Sequence, residues 1–272
     1  MIISIITINY NNRAGLQKTI GSVITQTFKN IEYIVIDGDS NDGSLDVIKE
    51  NAANITHWVS EKDSGIYNAQ NKGIKLATGK YLLFLNSGDY LENSQVIELL
   101  AKENADEDLI YGNLKRIFPD GSTDVVKMPD TINLERLIHD TLCHPVTLIK
   151  KTLFTQYGLY DENVKIVADW AFFLKIFVYG KPVYKHKDVT VAVFYMDGVS
   201  SHAANQQSLY LERERVIAEY VSPAILAVIN EKDKYQYLVK RYGLEKVHAL
   251  LKSIKSKMRF SKSQKEEIVD KK

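Results

Sequence analysis

Blocks of hydrophobic residues recur along the first part of the chain, and short polar segments separate them. Residues 2–8 form a β-branched run that predicts a buried strand, and the spacing of Leu16, Ile20 and Val23 predicts an amphipathic helix behind it. Further strands are predicted at 32–37, 57–60 and 81–85, with helices near 44–52 and 66–77 and Gly79 as the glycine that ends the last helix. Strands that alternate with helices predict an α/β fold, here a three-layer αβα sandwich with a mixed, mostly parallel central sheet.

The pattern changes after residue 108. It predicts a strand at 108–113, a hairpin over 114–127, a buried helix at 168–179 and two short strands within 183–196. From about residue 204 the sequence is typical of helices with charges of both signs on their surface. We therefore expect a catalytic domain at 1–203, followed by a helical C-terminal extension at 204–272 that carries a basic tail.

Composition and charge argue against several classes of protein. Of the 272 residues, 45% are hydrophobic, and the formal net charge of +1 does not favour a nucleic-acid partner. Cys143 is the single cysteine, so an internal disulfide and a cysteine-based zinc site are excluded. Every apolar run is far shorter than the ~18 residues of a membrane span, and we expect no signal peptide. These features favour a cytoplasmic protein.

Polar side chains follow each of the predicted parallel strands. In parallel α/β sheets the ligand binds beyond the carboxyl ends of the strands, so these side chains are expected to share one rim. They are Thr7, Asn9 and Tyr10, then Asp37, Asp39 and Asp42, then Glu61 and Asp63, and finally Asn86, Ser87 and Asp89. Clustered carboxylates suit a magnesium or manganese ion, which would neutralise a diphosphate leaving group. The alternative is that these residues only form turns, which they also favour.

Two familiar nucleotide-binding motifs are absent from the sequence. The first strand is not followed by the glycine pattern of dinucleotide-binding folds. Residues 73–80 differ from a phosphate-binding loop by one extra residue, and Tyr81 stands where a serine or threonine would hold magnesium. The rim therefore predicts another kind of nucleotide site.

Five segments together resemble the family 2 glycosyltransferases, which have the GT-A fold. They are residues 4–11, 34–44, 61–74, 79–89 and 168–170, and both their order and their spacing agree with the family. The similarity extends over about residues 2–200 and is closest to transferases of bacterial exopolysaccharide and colanic-acid type. It implies a GT-A fold of the nucleotide-diphospho-sugar transferase type.

The resemblance implies a role for each matching residue. Asp169 would be the general base that takes the acceptor proton, and Asp89 would bind Mg2+ or Mn2+. Lys72 would face the phosphates of the donor, for which a UDP-sugar is the default. The expected nucleotide-sugar contacts are Thr7, Asn9, Tyr10, Asp37, Asp63, Asn86 and Ser87.

The sequence departs from the family at the metal motif. The usual Asp-x-Asp is replaced by Asn86, Ser87 and Gly88, so that only Asp89 keeps a carboxylate. His202 is a candidate second ligand, although a surface histidine at a helix start is the simpler interpretation. His144 and Trp170 are candidates to contact the sugar or the acceptor, and Trp170 alternatively belongs to the core.

The sequence thus predicts a metal-dependent inverting glycosyltransferase of hexosyltransferase type that acts in surface polysaccharide biosynthesis. The acceptor would be a saccharide or a lipid-linked saccharide. A degenerate sugar-nucleotide-binding scaffold remains an alternative. A sugar nucleotidyltransferase is a weaker alternative, because it would need a glycine-rich phosphate loop with arginine or lysine after the first strand, and only Arg13 is near. The cations of residues 252–265 suggest peripheral contact with the inner face of the membrane, although a solvated terminus is the simpler interpretation.

Overall fold

The computed structural model describes residues 2–102, 106–196, 203–243 and 251–253. The chain divides into two compact units, Met1–Tyr220 and Val221–Lys272. His202 and most of the basic tail lie outside the described residues. Among the residues described, no helix is both long enough and apolar enough to cross a membrane.

The secondary structure follows the predicted alternation closely in the first hundred residues. The strands are β1 (Ile3–Asn9), β2 (Ile31–Asp37), β3 (His57–Ser60), β4 (Tyr81–Phe84), β5 (Tyr90–Leu91), β6 (Leu109–Ile117), β7 (Thr123–Val126), β8 (Thr147–Lys150) and β9 (Tyr184–Tyr195). The helices of the first unit are α1 (Arg13–Ile24), α2 (Ser44–Glu50), α3 (Ile66–Leu76), α4 (Val96–Ala101), α5 (Leu134–His139), α6 (Thr152–Tyr157), α7 (Ala168–Tyr179) and α8 (Gln206–Tyr220). In the second unit, α9 spans Pro223–Tyr242 and starts at Ser222, whose side chain accepts from the Ile225 amide.

One nine-stranded sheet organises the described part of the first unit, in the order β3-β2-β1-β4-β8-β6-β9-β5 with β7 paired to β6. Strands β3, β2, β1 and β4 are mutually parallel and form what we call the parallel half. Strand β8 runs antiparallel to both β4 and β6, which begins the mixed half. The predicted three-layer α/β fold with a mixed sheet is confirmed.

Two glycines allow neighbouring segments to pack closely against β1. Gly73 on α3 faces Ile6 of β1 so closely that a Cβ would collide with the isoleucine side chain. A Cβ on Gly79 would lie 2.5 Å from the Ser4 hydroxyl oxygen. Helix α3 ends at Leu76, and the next residue, Ala77, is already in extended conformation. Gly79 does not have the positive φ of a helix-ending glycine. The prediction that Gly79 ends the helix is therefore wrong, and the residue instead serves the packing of β1.

The region predicted to hold two short strands is a single long strand, β9. It pairs in parallel with β6 from Leu109 to Ile117, and the register shifts on both sides of Asn113. A Cβ at Gly112 would collide with the Val189 carbonyl, so the glycine permits this irregular pairing. The irregularity interrupts the alternation of the sequence without interrupting the strand.

Candidate active site

Asp37 joins the ends of the three outer strands of the parallel half. Its carboxylate accepts hydrogen bonds from the Asn9 amide at 2.7 Å, the Ser40 hydroxyl at 2.6 Å and the Ser60 hydroxyl at 2.7 Å. The Ser40 backbone amide adds a fourth bond at 3.1 Å. We call Asn9, Asp37, Ser40 and Ser60 the Asp37 cluster.

The Asp37 carboxylate at the centre of this cluster is closed to solvent. Asp37 is 0% exposed, and the four donors occupy both of its oxygens. Burial raises the pKa of Asp37, but the hydrogen bonds from Ser40, Asn9 and Ser60 outweigh burial and hold this pKa below its ordinary value. The carboxylate is thus ionised and occupied, and it orders the strand ends rather than presenting a bare oxygen.

Tyr10 and Asp63 lie on either side of Gly38. A Cβ on Gly38 would be 3.1 Å from an Asp63 carboxylate oxygen and 3.2 Å from the Tyr10 ring. Tyr10 is 69% exposed, so its ring is available to a ligand. Thr7 lies deeper, is fully buried and shares a 3.1 Å hydrogen bond with the Tyr33 hydroxyl. The structure therefore brings Tyr10 and Asp63 together and leaves Thr7 beneath them.

Lys72 is engaged by carboxylates. Its ammonium lies 2.6 Å from Asp63 and 2.8 Å from Glu61, and it also donates to the Lys62 carbonyl. Burial lowers the pKa of Lys72, but the bonds to Asp63 and Glu61 outweigh it and raise the pKa overall. A phosphate contact of the kind expected from the sequence would require these pairs to open.

The segment after β4 is hydrogen-bonded to residues of α1 and α3 and to Asn12, which caps α1. Asn86 accepts from the Gln70 amide at 3.2 Å, and the Ser87 carbonyl accepts from Asn12 at 3.0 Å. The Thr19 hydroxyl donates to the Asp89 carbonyl at 2.6 Å, and Asp89 is 7% exposed. The segment is thus held in place through its backbone carbonyls and the Asn86 side chain.

Asn86, Ser87 and Asp89 could supply only part of the ligands of a cation. Within the described ranges no three histidine, cysteine or acidic side chains are grouped as metal ligands. Magnesium commonly uses one or two carboxylates together with phosphate and water oxygens, and Asp89 with Ser87 and Asn86 is compatible with that pattern. His202, the other predicted ligand, lies outside the described residues.

Asp169 is held from two sides at the start of α7. Its Oδ1 accepts from the Tyr67 hydroxyl at 2.9 Å, and its Oδ2 lies 2.9 Å from His144 Nδ1. We call Tyr67, His144 and Asp169 the Asp169 cluster. The Asp169 side chain remains 20% exposed, in contrast to Asp37, so the Asp169 cluster is open to a ligand.

The charge state of Asp169 follows from these partners. Burial raises the pKa of Asp169, but the hydrogen bond and charge of His144 and the bond from Tyr67 outweigh it, so the pKa lies below its ordinary value. Burial and the neighbouring Asp169 raise the pKa of Tyr67 well above its ordinary value, which keeps the Tyr67 hydroxyl protonated as a donor. Asp169 is therefore an ionised, hydrogen-bonded carboxylate at neutral pH.

Helix α3 connects rim residues of the parallel half to the Asp169 cluster. Lys72 on this helix reaches Asp63, Gln70 reaches Asn86, and Tyr67 reaches Asp169. On the same helix, Asn68 and Asn71 each donate to Glu162 at 2.9 Å. The sequence marked this segment as part of the family resemblance but gave Tyr67 and Glu162 no role, because their contacts join residues about a hundred positions apart.

Trp170 lies in the core. It is 2% exposed, its indole nitrogen donates to the Leu137 carbonyl at 2.6 Å, and the Arg213 guanidinium lies 4.1 Å from the ring centroid. Both the ring and its donor are thus already engaged within the protein. This corrects the expectation of stacking on a sugar, and of the two acceptor candidates only His144 contacts the Asp169 carboxylate.

Helix α8 fixes the segment that precedes Asp169. The Glu212 carboxylate accepts from the backbone amides of Lys165 at 2.8 Å, Ile166 at 2.8 Å and Val167 at 3.3 Å. The Ile166 carbonyl in turn accepts from the Tyr67 hydroxyl at 2.7 Å. Helix α8 thus lies with the first unit, although the expected domain boundary preceded it.

Cys143, the single cysteine of the chain, directly precedes His144 of the Asp169 cluster. The side chain is partly buried, and burial raises its pKa to about 12, with further contributions from Asp169, Asp140 and Asp89. The thiol therefore experiences the field of both Asp169 and Asp89.

The fold and the site define a class of protein. A parallel α/β half-sheet carries polar loops at its carboxyl edge, which is where open α/β sheets bind their ligands, and Asp169 adds a partly exposed carboxylate. A family model described as "Glycosyl transferase family 2" matches residues 4–159. The chain belongs to glycosyl transferase family 2, as its sequence motifs predicted, and is a glycosyltransferase.

Relatives support this assignment. A PGL/p-HBAD biosynthesis glycosyltransferase of Mycobacterium bovis (strain BCG / Pasteur 1173P2) is 30% identical over 198 residues, which are 70% of this chain and 75% of the relative.

Solved structures share the fold at low sequence identity. S. aureus TarS 1–349 in complex with UDP has a TM-score of 0.63 at 18% identity, covering 88% of this chain and 70% of that chain. The match spans 44% of the longer TarS chain. The mannosyltransferase PcManGT from Pyrobaculum calidifontis, in complex with GDP-Man and Mn2+, has a TM-score of 0.61 at 16% identity over 93% of this chain and 75% of that chain. These likenesses confirm the predicted GT-A fold.

Proposed function

We propose that this glycosyltransferase moves a sugar from a nucleoside-diphosphate sugar to an acceptor hydroxyl with inversion of the anomeric centre. The observation that carries the proposal is Asp169, an ionised and partly exposed carboxylate held beside the rim where the nucleotide is expected. UDP in TarS and GDP-Man with Mn2+ in PcManGT support a donor of this class.

In the proposed reaction Asp169 takes the proton of the acceptor hydroxyl. The acceptor oxygen then forms a bond to the anomeric carbon while the bond from that carbon to the diphosphate oxygen breaks. The nucleoside diphosphate leaves with the electron pair of the broken bond. Attack in line with the leaving group inverts the configuration, and a single carboxylate base suffices for this displacement.

Donor binding is assigned to the rim of the parallel half. Tyr10 and Asp63 would contact the nucleoside, with Asp37, Asn9 and Thr7 holding the strand ends beneath them. Asp89, with Ser87 and Asn86, would hold a magnesium or manganese ion. That ion would supply positive charge to the departing diphosphate.

We further propose an acceptor that is a saccharide or a lipid-linked saccharide. The M. bovis relative is likewise a biosynthetic glycosyltransferase, named for PGL/p-HBAD biosynthesis.

The test separates donor binding from chemistry. Calorimetry with UDP and with GDP, each with Mn2+, measures nucleotide affinity. Release of the nucleoside diphosphate from UDP-glucose, UDP-galactose, UDP-N-acetylglucosamine and GDP-mannose measures turnover, with water or an alkyl glycoside as acceptor. We expect Asp169→Asn to lower turnover by about 10²- to 10⁴-fold and to leave nucleotide affinity unchanged.

Asp161→Asn is the matched control, because Asp161 is an exposed carboxylate in the loop that leads to α7. Near-normal turnover in Asp169→Asn would remove Asp169 from the role of base. A wild-type protein that binds nucleotide and turns over no donor would instead favour a sugar-nucleotide-binding module.

A further inference from the structure

The carboxylate of Asp169 is held by two donors from separate elements. Tyr67 comes from the first turn of α3 and bonds Oδ1, whereas His144 comes from the turn before β8 and bonds Oδ2. An ionised carboxylate only accepts hydrogen bonds, so His144 donates through Nδ1–H, and the single Tyr67 hydroxyl proton is shared between Asp169 Oδ1 at 2.9 Å and the Ile166 carbonyl at 2.7 Å. Among the described residues, none bonds the other ring nitrogen of His144.

Both donors are themselves fixed by packing. The Tyr67 side chain is buried, and its ring lies 5.6 Å from that of Tyr160. The His144 side chain is 12% exposed, and its ring meets Phe84 edge-on at 6.1 Å. Neither side chain is free to follow a rotating carboxylate, so turning the Asp169 carboxyl group would break both hydrogen bonds.

We propose that Tyr67 and His144 are positioning residues that together fix the orientation of the Asp169 carboxylate toward the acceptor hydroxyl. The inference rests on the proposed function for the role of Asp169 as base. Small displacements of a reacting group cost large factors in rate, because the bound reactants must already be near the geometry of attack. Supporting residues that lock such a group therefore act on turnover more than on binding.

We call the paired hydrogen bonds from Tyr67 and His144 to Asp169 the clamp. The clamp also links the proposed base to the donor site. Tyr67 stands on the same helix as Gln70 and Lys72, whose partners Asn86 and Asp63 belong to the rim of the parallel half. A rigid helix carries both sets of contacts, so the distance between base and donor is set by α3. The clamp thus positions Asp169 relative to the donor as well as relative to its own backbone.

Three variants test the clamp. Tyr67→Phe removes the donor to Oδ1, and His144→Ala removes the donor to Oδ2. His144→Asn keeps a donor near the Nδ1 position but has no imidazole that accepts a proton. We measure kcat and KM for the most readily hydrolysed donor of the four-sugar panel with Mn2+, and UDP affinity by calorimetry.

We expect a split between kcat and binding. A hydrogen bond to a charged group is strong enough for Tyr67→Phe and His144→Ala each to lower kcat by about tenfold to a hundredfold, with KM and UDP affinity nearly unchanged. His144→Asn should recover most of the loss seen in His144→Ala. Wild-type kcat in both Tyr67→Phe and His144→Ala would overturn the proposal, as would His144→Asn losing as much as His144→Ala, since the imidazole itself would then take the proton.

Two matched controls come from elsewhere in the chain. Tyr81→Phe removes a tyrosine hydroxyl that donates to the Glu107 carbonyl at 2.6 Å, at the opposite edge of the sheet. His186→Asn alters a histidine whose Nδ1 lies 2.7 Å from Asp130 and whose side chain is 10% exposed, similar to His144. Both controls should keep wild-type kcat, so a loss in either would attribute the effects to general destabilisation and contradict the clamp.

A second readout requires no substrate. Long-range ¹H–¹⁵N spectra at about pH 8.5, where a free imidazole is neutral, report which ring nitrogen of His144 carries the proton. We expect Nδ1–H in the wild type and a shift toward Nε2–H in Asp169→Ala. A wild-type ring protonated on Nε2 would contradict the clamp. If the protein failed to bind nucleotide, the proposed function would fail while this measurement still decided the clamp.

Discussion

Asp37 and Asp169 are both ionised carboxylates on the rim, but the protein treats them differently. Asp37 is sealed, with donors from Asn9, Ser40 and Ser60 on both of its oxygens. Asp169 has one side-chain donor on each oxygen and keeps part of its surface in solvent. The difference teaches that a strand-end carboxylate without an open oxygen organises a site, whereas a clamped and exposed one is available for chemistry.

The largest expected effect is a loss of stability that distinguishes Asp37 from Asp169. Asp37→Asn replaces one accepting oxygen of a fully buried carboxylate by an amide group and leaves a donor of Ser40 or Ser60 without its acceptor, so the free energy of unfolding should fall by about 3 kcal/mol. Asp169→Asn should cost less than about 1 kcal/mol, because its site is partly solvated. Urea unfolding at pH 7 measures both. Equal losses would erase the distinction between the two clusters.

Replacing Glu212 should give the next largest loss of stability, because Glu212 holds the segment that leads to Asp169. Glu212→Ala leaves the amides of residues 165–167 without their acceptor and should destabilise the protein by about 2 kcal/mol. It should also lower turnover, because the segment that leads to Asp169 loosens. Glu214→Ala on the exposed side of the same helix is the control. An intact turnover in Glu212→Ala would separate α8 from catalysis.

Helix α3 contacts both the rim residues Asp63 and Asn86 and the Asp169 cluster, and Gly73 tests how closely this helix packs on β1. Gly73→Ala places a methyl group against Ile6 and should destabilise the protein by about 1–2 kcal/mol. Gly21→Ala, on α1, meets nothing within 4 Å and should stabilise by up to about 1 kcal/mol. Thermal unfolding compares the pair. A stabilised Gly73→Ala would indicate that α3 can shift away from β1 at little cost.

The smallest effect is a pH dependence. The pKa values of Asp37 and Asp169 are lowered in the folded state, so their stabilisation is present above the unfolded pKa of about 3.9 and is lost as pH falls through the folded values. Stability should therefore be flat from about pH 7 to 5 and decline below about pH 4. The decline should be shallower in Asp37→Asn. An unchanged slope would show that Asp37 does not contribute to acid unfolding.

The parallel half was predictable because its information is local. Each of its strands is a short apolar run followed at once by polar residues, and the bounds of β2 and β3 fall within one residue of those expected. The rule that ligands bind beyond the carboxyl ends then suffices to bring Asp37 and Asp63 to one edge. Gly79 was misjudged since its purpose depends on Ser4, which only the folded structure brings near.

The Asp169 cluster was only half predictable. Family resemblance pointed to Asp169 and the sequence raised His144 as an acceptor contact, but nothing local joins either residue to Tyr67. The apolar neighbours of Trp170 allowed a core role as well as an exposed one, and only the Leu137 and Arg213 contacts decide between them. The long β9 was missed because the pairing shifts register around Asn113.

The thiol of Cys143 has a practical consequence for labelling. With a pKa raised to about 12, it is almost entirely protonated at neutral pH, and thiols react with alkylating reagents mainly as thiolates. Because the chain has no second cysteine, a residue introduced on an exposed position such as Glu214 would be modified selectively. Fluorophores or spin labels can thus be attached without first removing the native Cys143 thiol.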